Sequence, residues 1–184
     1  MDPITVEVVI ARPRDEVYEY LADIANHAEF SDHFMVDWRL TREDTYGYGA
    51  GARYRIKAPL SRFAWGDSTI IEAERPRKIA EAGRTGKYNR IRTLGVYELE
   101  PAAGGTTRVR FTLLTEPAKL SDKIMESFGA RGWMKRKLAK SMRRLRDILE
   151  EGRSRGERPT IAGGPRKPFT GSPFARGPRR EPAR

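Results

Sequence analysis

Cysteine is absent from all 184 residues. Disulfides, thiolate nucleophiles and cysteine metal sites are thereby excluded, and a reducing compartment suits such a chain. Histidine is scarce, with His27 and His33 as the only two. No apolar run approaches the roughly 18 residues of a membrane span. The first residues show no basic region followed by an apolar core, so no signal peptide is expected. These absences together lead to the expectation of a cytoplasmic protein.

The formal net charge is +11, and it is unevenly placed. Residues 1–120 hold 18 Lys/Arg and 18 Asp/Glu, whereas residues 152–184 hold nine and two. The body is neutral and the basicity belongs to the far end, which argues against nucleic-acid binding by the body itself. The last 33 residues also contain six prolines and six glycines, a density that marks segments without a packed core. Domain boundaries follow: a folded unit over residues 1–151, and a disordered basic tail over 152–184.

Alternation and periodicity give the elements. Ile4 to Ala11 places Val6, Val8 and Ile10 on one face of a strand. Pro13 starts a helix, with Val17, Leu21 and Ile24 along one side. A second short helix covers His27 to Phe30. Six strands follow, around Val36–Leu40, Tyr54–Ile56, Phe63–Glu74, Ile79–Gly83, Ile91–Leu99 and Val109–Leu113. Short intervals with turns between them predict an antiparallel sheet, one face wet and one covered.

The cover is the last helix, read over Leu120 to Glu151. Ser121 caps it and Asp122 sits in its first turn. Leu120 and Met125 occupy staple positions. Met134, Leu138, Met142, Leu145, Ile148 and Leu149 follow at helical spacing. Gly129 and Gly132 predict a bend near the start. The fold class is therefore α+β: a curved antiparallel sheet of about seven strands around a long C-terminal helix, with two short helices after the first strand.

This order resembles the helix-grip fold of the START-like superfamily, nearest its polyketide cyclase/dehydrase and lipid-transport branch, over about residues 3–151. The resemblance is carried by Ala11-Arg12-Pro13-Arg14-Asp15-Glu16-Val17, Glu74-Arg75-Pro76-Arg77-Lys78-Ile79, Gly104-Gly105-Thr106-Thr107-Arg108-Val109 and Arg144-Leu145-Arg146-Asp147-Ile148-Leu149-Glu150. It implies a cavity between sheet and helix that holds a small hydrophobic, lipid- or polyketide-like molecule, with no cofactor and no metal. On the strand parity read above, the inward set is Trp38, Tyr54, Trp65, Thr69, Thr93, Tyr97 and Phe111. Met125 and Phe128 face it from the helix. Large aromatics with a few hydroxyls suit a ligand pocket, and they equally suit a filled core.

Other constellations carry less. Asp67 and Glu81 fall on the inward parity, where burial would raise a carboxyl pKa and fit it for acid–base work; a bulge or reversed parity accounts for them more simply. His27 and His33, with Glu29 and Asp32 between, lack helical zinc-pair spacing, and a solvated loop is the simpler reading. Two alternatives to ligand binding stand beside it. One is a cyclase or dehydratase acting on a polyketide-like substrate. The other is an interaction protein whose basic helix and tail contact RNA or an anionic membrane.

Overall fold

The computed structural model describes residues 2–58, 65–116, 131–152 and 159–161. Strand β1 (Ile4–Ile10) leads to helix α1 (Arg14–Ala22), a single 3₁₀ turn (Ile24–Asn26) and helix α2 (His27–Ser31). Six strands follow: β2 (Met35–Leu40), β3 (Gly51–Ile56), β4 (Trp65–Glu74), β5 (Lys78–Thr85), β6 (Ile91–Pro101) and β7 (Thr107–Glu116). The described part of the last helix, α3, spans Arg131–Glu151. The expected start of that helix, with Ser121, Asp122, Met125, Phe128 and Gly129, lies outside the described residues.

The seven strands form one antiparallel sheet in the order β1-β7-β6-β5-β4-β3-β2. Ile4, Val6, Val8 and Ile10 point to one face of β1, and all four are buried. Leu138, Met142, Leu145 and Ile148 form the stripe that α3 buries in the same core. The opposite side of α3 carries Lys135, Arg136, Lys140 and Arg143, all exposed. This division is the amphipathic pattern that lets a sheet hold a helix.

Arg12 fixes the far end of α3. Its Nε donates to the Leu149 carbonyl at 2.8 Å, and its Nη2 to the Glu150 carbonyl at 3.1 Å. A helix leaves its last carbonyls without partners, and a guanidinium placed there satisfies them while complementing the dipole. Gly152 then ends the helix in a left-handed conformation, φ 68°, with its N–H on the Ile148 carbonyl. On the other flank, α2 is tied to α3 by Arg144, which reaches the Asp32 carboxylate and the Glu29 carbonyl.

Within the stretch expected to lack fixed structure, one short piece does meet the sheet. Pro159 is buried, and the Thr160 carbonyl accepts from the Leu40 N–H at 3.1 Å, on edge strand β2. Residues 153–158 and 162–184 lie outside the described residues.

The parity expected for β4 is reversed. Gly66, Ser68 and Ile70 face the core, whereas Trp65 and Ile71 are 36% and 45% exposed. Thr69 shares the outward side with Trp65, because β4 pairs Ser68 with Ala52 and Gly66 with Tyr54 on the inner face. Trp65 and Ile71 thus lie on the wet face, and the inward side holds the small Gly66 and Ser68 together with buried Ile70. Gly66 leaves room for its cross-strand neighbour: an added Cβ there would lie 3.1 Å from Cε2 of Tyr54.

Candidate functional site

Between α2, the middle of the sheet and α3 lies a cavity of about 70 Å³. Two aromatic pairs form much of its wall. Trp38 and Tyr54 have ring centroids 4.7 Å apart, and Tyr97 and Phe111 4.5 Å apart. Phe30 and Phe34 close it from α2 and the residues after it, and Leu138, Ser141 and Met142 from α3.

The sheet makes the hollow by a local lack of side-chain volume. Gly95 on β6 sits under the Phe111 ring, where an added Cβ would come within 3.0 Å of Phe111 Cε2. Its register partner on β5 is Glu81, and on β7 Leu113. The ladder Ser68, Gly83 and Thr93 runs beside it with only small side chains. On β2 a register shift between Val36 and Arg39, with Asp37 at φ 54°, turns both Met35 and Trp38 toward the cavity.

Of the expected ligand-contacting residues, Trp38, Tyr54, Thr93, Tyr97 and Phe111 come together on this cavity. Trp65 and Thr69 do not. Trp65 is on the outer face, with the Arg53 guanidinium 5.1 Å from its ring centroid. Met125 and Phe128 lie outside the described residues.

Asp67 and Glu81 separate in the same way. Asp67 is on the outer face, where its Oδ1 accepts the Arg84 N–H at 2.8 Å. Glu81 is at the base of the cavity, its side chain only 12% exposed. Its Oε2 accepts from the Ser68 hydroxyl at 2.6 Å. Its Oε1 lies 3.1 Å from His27 Nδ1 without hydrogen-bond alignment, and no other donor among the described residues reaches it.

His27 is the residue that the sequence reading misplaced. It does begin the short helix expected over His27 to Phe30, but where a solvated setting is the simpler reading from sequence it is 4% exposed in the core. Its Nε2 lies 2.8 Å from the Leu21 carbonyl, so that nitrogen carries a hydrogen and donates it. The other nitrogen then faces a carboxylate. Two bare lone pairs at that separation would repel, so the pair must hold a further proton between them. Burial works against a charged His27, but the Glu81 carboxylate and the Leu21 carbonyl outweigh it and raise its pKa. Burial likewise opposes an ionised Glu81, yet His27 and the Ser68 hydroxyl hold its pKa below the usual value. The pair is an imidazolium and a carboxylate, neutral in sum.

Two phenols complete the polar group. Burial, and then the Glu81 charge, raise the pKa values of Tyr54 and Tyr97, so both stay protonated. His33, by contrast, sits outside the cavity lining. Its Nε2 donates to the Lys137 carbonyl at 3.2 Å, and burial lowers its pKa to about 4. Among the described residues no group of three or more His, Asp or Glu side chains gathers as a metal site. The signal that could have located His27 was Glu81: a carboxylate on the inner parity of a strand needs a buried partner.

The comparisons agree with this architecture. The family model described as "Polyketide cyclase / dehydrase and lipid transport" matches residues 1–150. No curated protein matches the chain. Among solved structures, truncated norcoclaurine synthase from Thalictrum flavum superposes with a TM-score of 0.62 at 11% identity, covering 82% of this chain and 94% of that one. A Thermus thermophilus protein superposes with a TM-score of 0.61 at 15% identity, covering 80% and 97%. A hypothetical protein from Helicobacter pylori gives 0.64 at 10% identity, covering 81% and 88%. At such identities the likeness is one of fold.

Proposed function

Because the chain belongs to the polyketide cyclase/dehydrase and lipid-transport family, with the helix-grip fold of the START-like superfamily, we propose that it binds a small hydrophobic molecule non-covalently between sheet and α3. The observation that carries this reading is the cavity itself. Aromatic and aliphatic side chains make most of its wall, and His27, Glu81 and Ser68 form one linked polar group within it, a mixture that suits a ligand site. At about 70 Å³ the hollow is smaller than the ~150 Å³ that admits benzene in an engineered core. Met35 and Met142 in its wall are the side chains best suited to yield, being unbranched and flexible. Native mass spectrometry of freshly purified full-length protein tests the reading. A co-purified small molecule, lost on denaturation, is the expected result. A bare protein that also takes up no hydrophobic probe would overturn it.

A second reading, a cyclase or dehydratase, has one observation in its favour. His27 and Glu81 hold a proton at the cavity base, where a bound carbonyl or hydroxyl would meet it. Its test is the loss of water from β-hydroxy ketones incubated with the protein, followed by mass. Turnover abolished in His27→Gln would support catalysis; unchanged substrates would leave binding alone.

A further inference from the structure

Two polar atoms in the cavity wall are buried without an aligned hydrogen-bond partner among the described residues: Glu81 Oε1 from the sheet, whose ion-pair partner His27 Nδ1 lies 3.1 Å away but off line, and Ser141 Oγ from α3. Buried polar atoms are nearly always paired, so each calls for a water or a ligand atom. Glu81 Oε1 is a carboxylate oxygen and can only accept, and beside the off-line His27 Nδ1 it keeps a lone pair for a further donor. Ser141, itself 3% exposed, can either give or take.

Charge narrows the choice. Among the described residues no lysine or arginine lines the cavity, and the cation they place there, the His27 imidazolium, is already balanced by Glu81. A carboxylate or phosphate head would enter with no charge to offset it, and burying an unpaired anion is costly. An ammonium would meet the imidazolium as well as the carboxylate. A neutral hydroxyl meets neither penalty. The paired rings of Trp38 with Tyr54, and of Tyr97 with Phe111, offer flat faces, and a hollow of about 70 Å³ takes one ring only when Met35 and Met142 yield, and no second ring.

We infer that the cavity selects neutral one-ring compounds that carry a hydroxyl, the hydroxyl donating to Glu81 Oε1, and that it rejects anionic head groups. This rests on the binding reading above and refines it. It separates phenol-like ligands from fatty acids and phosphorylated lipids, which the family description leaves together.

The test uses the full-length protein at neutral pH and four matched probes: phenol, toluene, benzoate and benzylamine. Affinity is read by ¹⁵N–¹H chemical-shift titration. A hydrogen bond to a buried charged acceptor should favour phenol over toluene by about tenfold. Benzoate and benzylamine should bind more weakly than toluene. In Glu81→Gln the phenol-to-toluene ratio should fall below about threefold, since a neutral acceptor is roughly half as strong. A measurement on the wild type guards against a variant that fails to fold. 3-Fluorophenol is a better donor than phenol, and its gain over 3-fluorotoluene should exceed that of phenol over toluene. Toluene binding as tightly as phenol, benzoate binding more tightly than either, or no gain from fluorination would each overturn the hydroxyl inference while leaving the cavity a binding site. Failure of all the probes to bind would overturn both.

Discussion

Arg12 Nε donates to the Leu149 carbonyl at 2.8 Å, and so joins the end of β1 to the last turn of α3 across 137 residues of sequence. The adjoining Ala11 N–H donates to the Glu150 carboxylate at 2.6 Å, and the Thr107 hydroxyl to the Arg12 carbonyl at 2.8 Å. One arginine thus holds strand, helix and β7 together. Arg12→Ala should cost about 1–3 kcal/mol, the worth of hydrogen bonds from a charged donor. Arg12→Lys should recover only part, because an ammonium lacks the fork that reaches two carbonyls. Urea midpoints for the three proteins check this. Equal midpoints would mean that α3 stays docked without the clasp.

The two histidines should titrate on opposite sides of the ordinary value of 6.5. His33 has a folded pKa of about 4, below its unfolded value, from burial and then the charges of Lys140, Arg144 and Lys137. Its contribution to stability is present above pH 6.5 and is lost as pH falls toward 4. His27 has a raised folded pKa, so its contribution is full below 6.5 and is lost as pH rises through that higher value. Glu81, with a lowered pKa, loses its contribution only under more acid conditions than a free carboxyl would. Between pH 6.5 and 4 the histidine-linked slope is therefore that of His33. Urea unfolding across this window should show stability falling, and His33→Asn should flatten the fall. Imidazole NMR titration assigns the two residues. A His27 resonance that titrates below 6.5 would contradict the ion pair.

Trp65 and Tyr97 were alike on sequence parity and are opposite in the structure. Tyr97 is 6% exposed and stacks beside Phe111 on the cavity, whereas Trp65 lies on the outer face. Tyr97→Ala or Trp38→Ala should weaken a hydrophobic probe by at least about fivefold, the scale of losing one aromatic contact. Trp65→Ala should change it by less than about twofold. Fluorescent-probe titration separates these outcomes. Trp65→Ala matching the cavity variants would place the binding site on the other face of the sheet.

The difference between these residues shows what is legible in a single sequence. Strand β1 was readable because Ile4, Val6, Val8 and Ile10 alternate without exception and the buried set is apolar. The described length of α3 was readable from Leu138, Met142, Leu145 and Ile148 for the same reason. Parity on β4 was not, because its inward side is Gly66, Ser68 and Ile70, two of them small, while Trp65 and Ile71 lie outward. Apolar size was the wrong guide where the wall of a cavity must be hollow. Trp38 was placed on the cavity, yet through the register shift at Asp37 rather than by simple alternation with Val36, which pairs with outward-facing Arg55. His27 was misread because its partner Glu81 is 54 residues away, and only the register of β5 brings the two together.

Gly66 gives a sharper check on the origin of the cavity. Its backbone takes no left-handed angle, so substitution is opposed chiefly by the Tyr54 ring, 3.1 Å from the added Cβ, with Thr85 Oγ1 next at 3.4 Å. Gly66→Ala should push Tyr54 inward, shrink the hollow and lower probe affinity. The stability cost should be about 1–3 kcal/mol, typical of overpacking. If probe binding and the urea midpoint are both unchanged, Tyr54 is free to move and the small residue is not what keeps the space open.

The last prediction concerns the basic end of the chain. Residues 152–184 carry nine Lys/Arg against two Asp/Glu, and they follow directly from α3, whose Lys135, Arg136, Lys140 and Arg143 are exposed. Such a surface attracts phosphate through charge alone. The attraction falls as salt rises, because each phosphate contact releases a condensed counterion. Phe169 and Phe174 are the only aromatics in this stretch, so stacking adds little preference among bases. A chain ending at Glu151 should therefore bind single-stranded RNA and anionic vesicles more weakly than the full chain. The difference should be large at low salt and small near physiological salt, with no dependence on RNA sequence. The same truncation removes Thr160 from the Leu40 N–H, so hydrogen exchange at Leu40 should quicken. Equal binding by the two chains would show that the basic end makes no contribution. Binding that ignores salt would show that charge is not its cause.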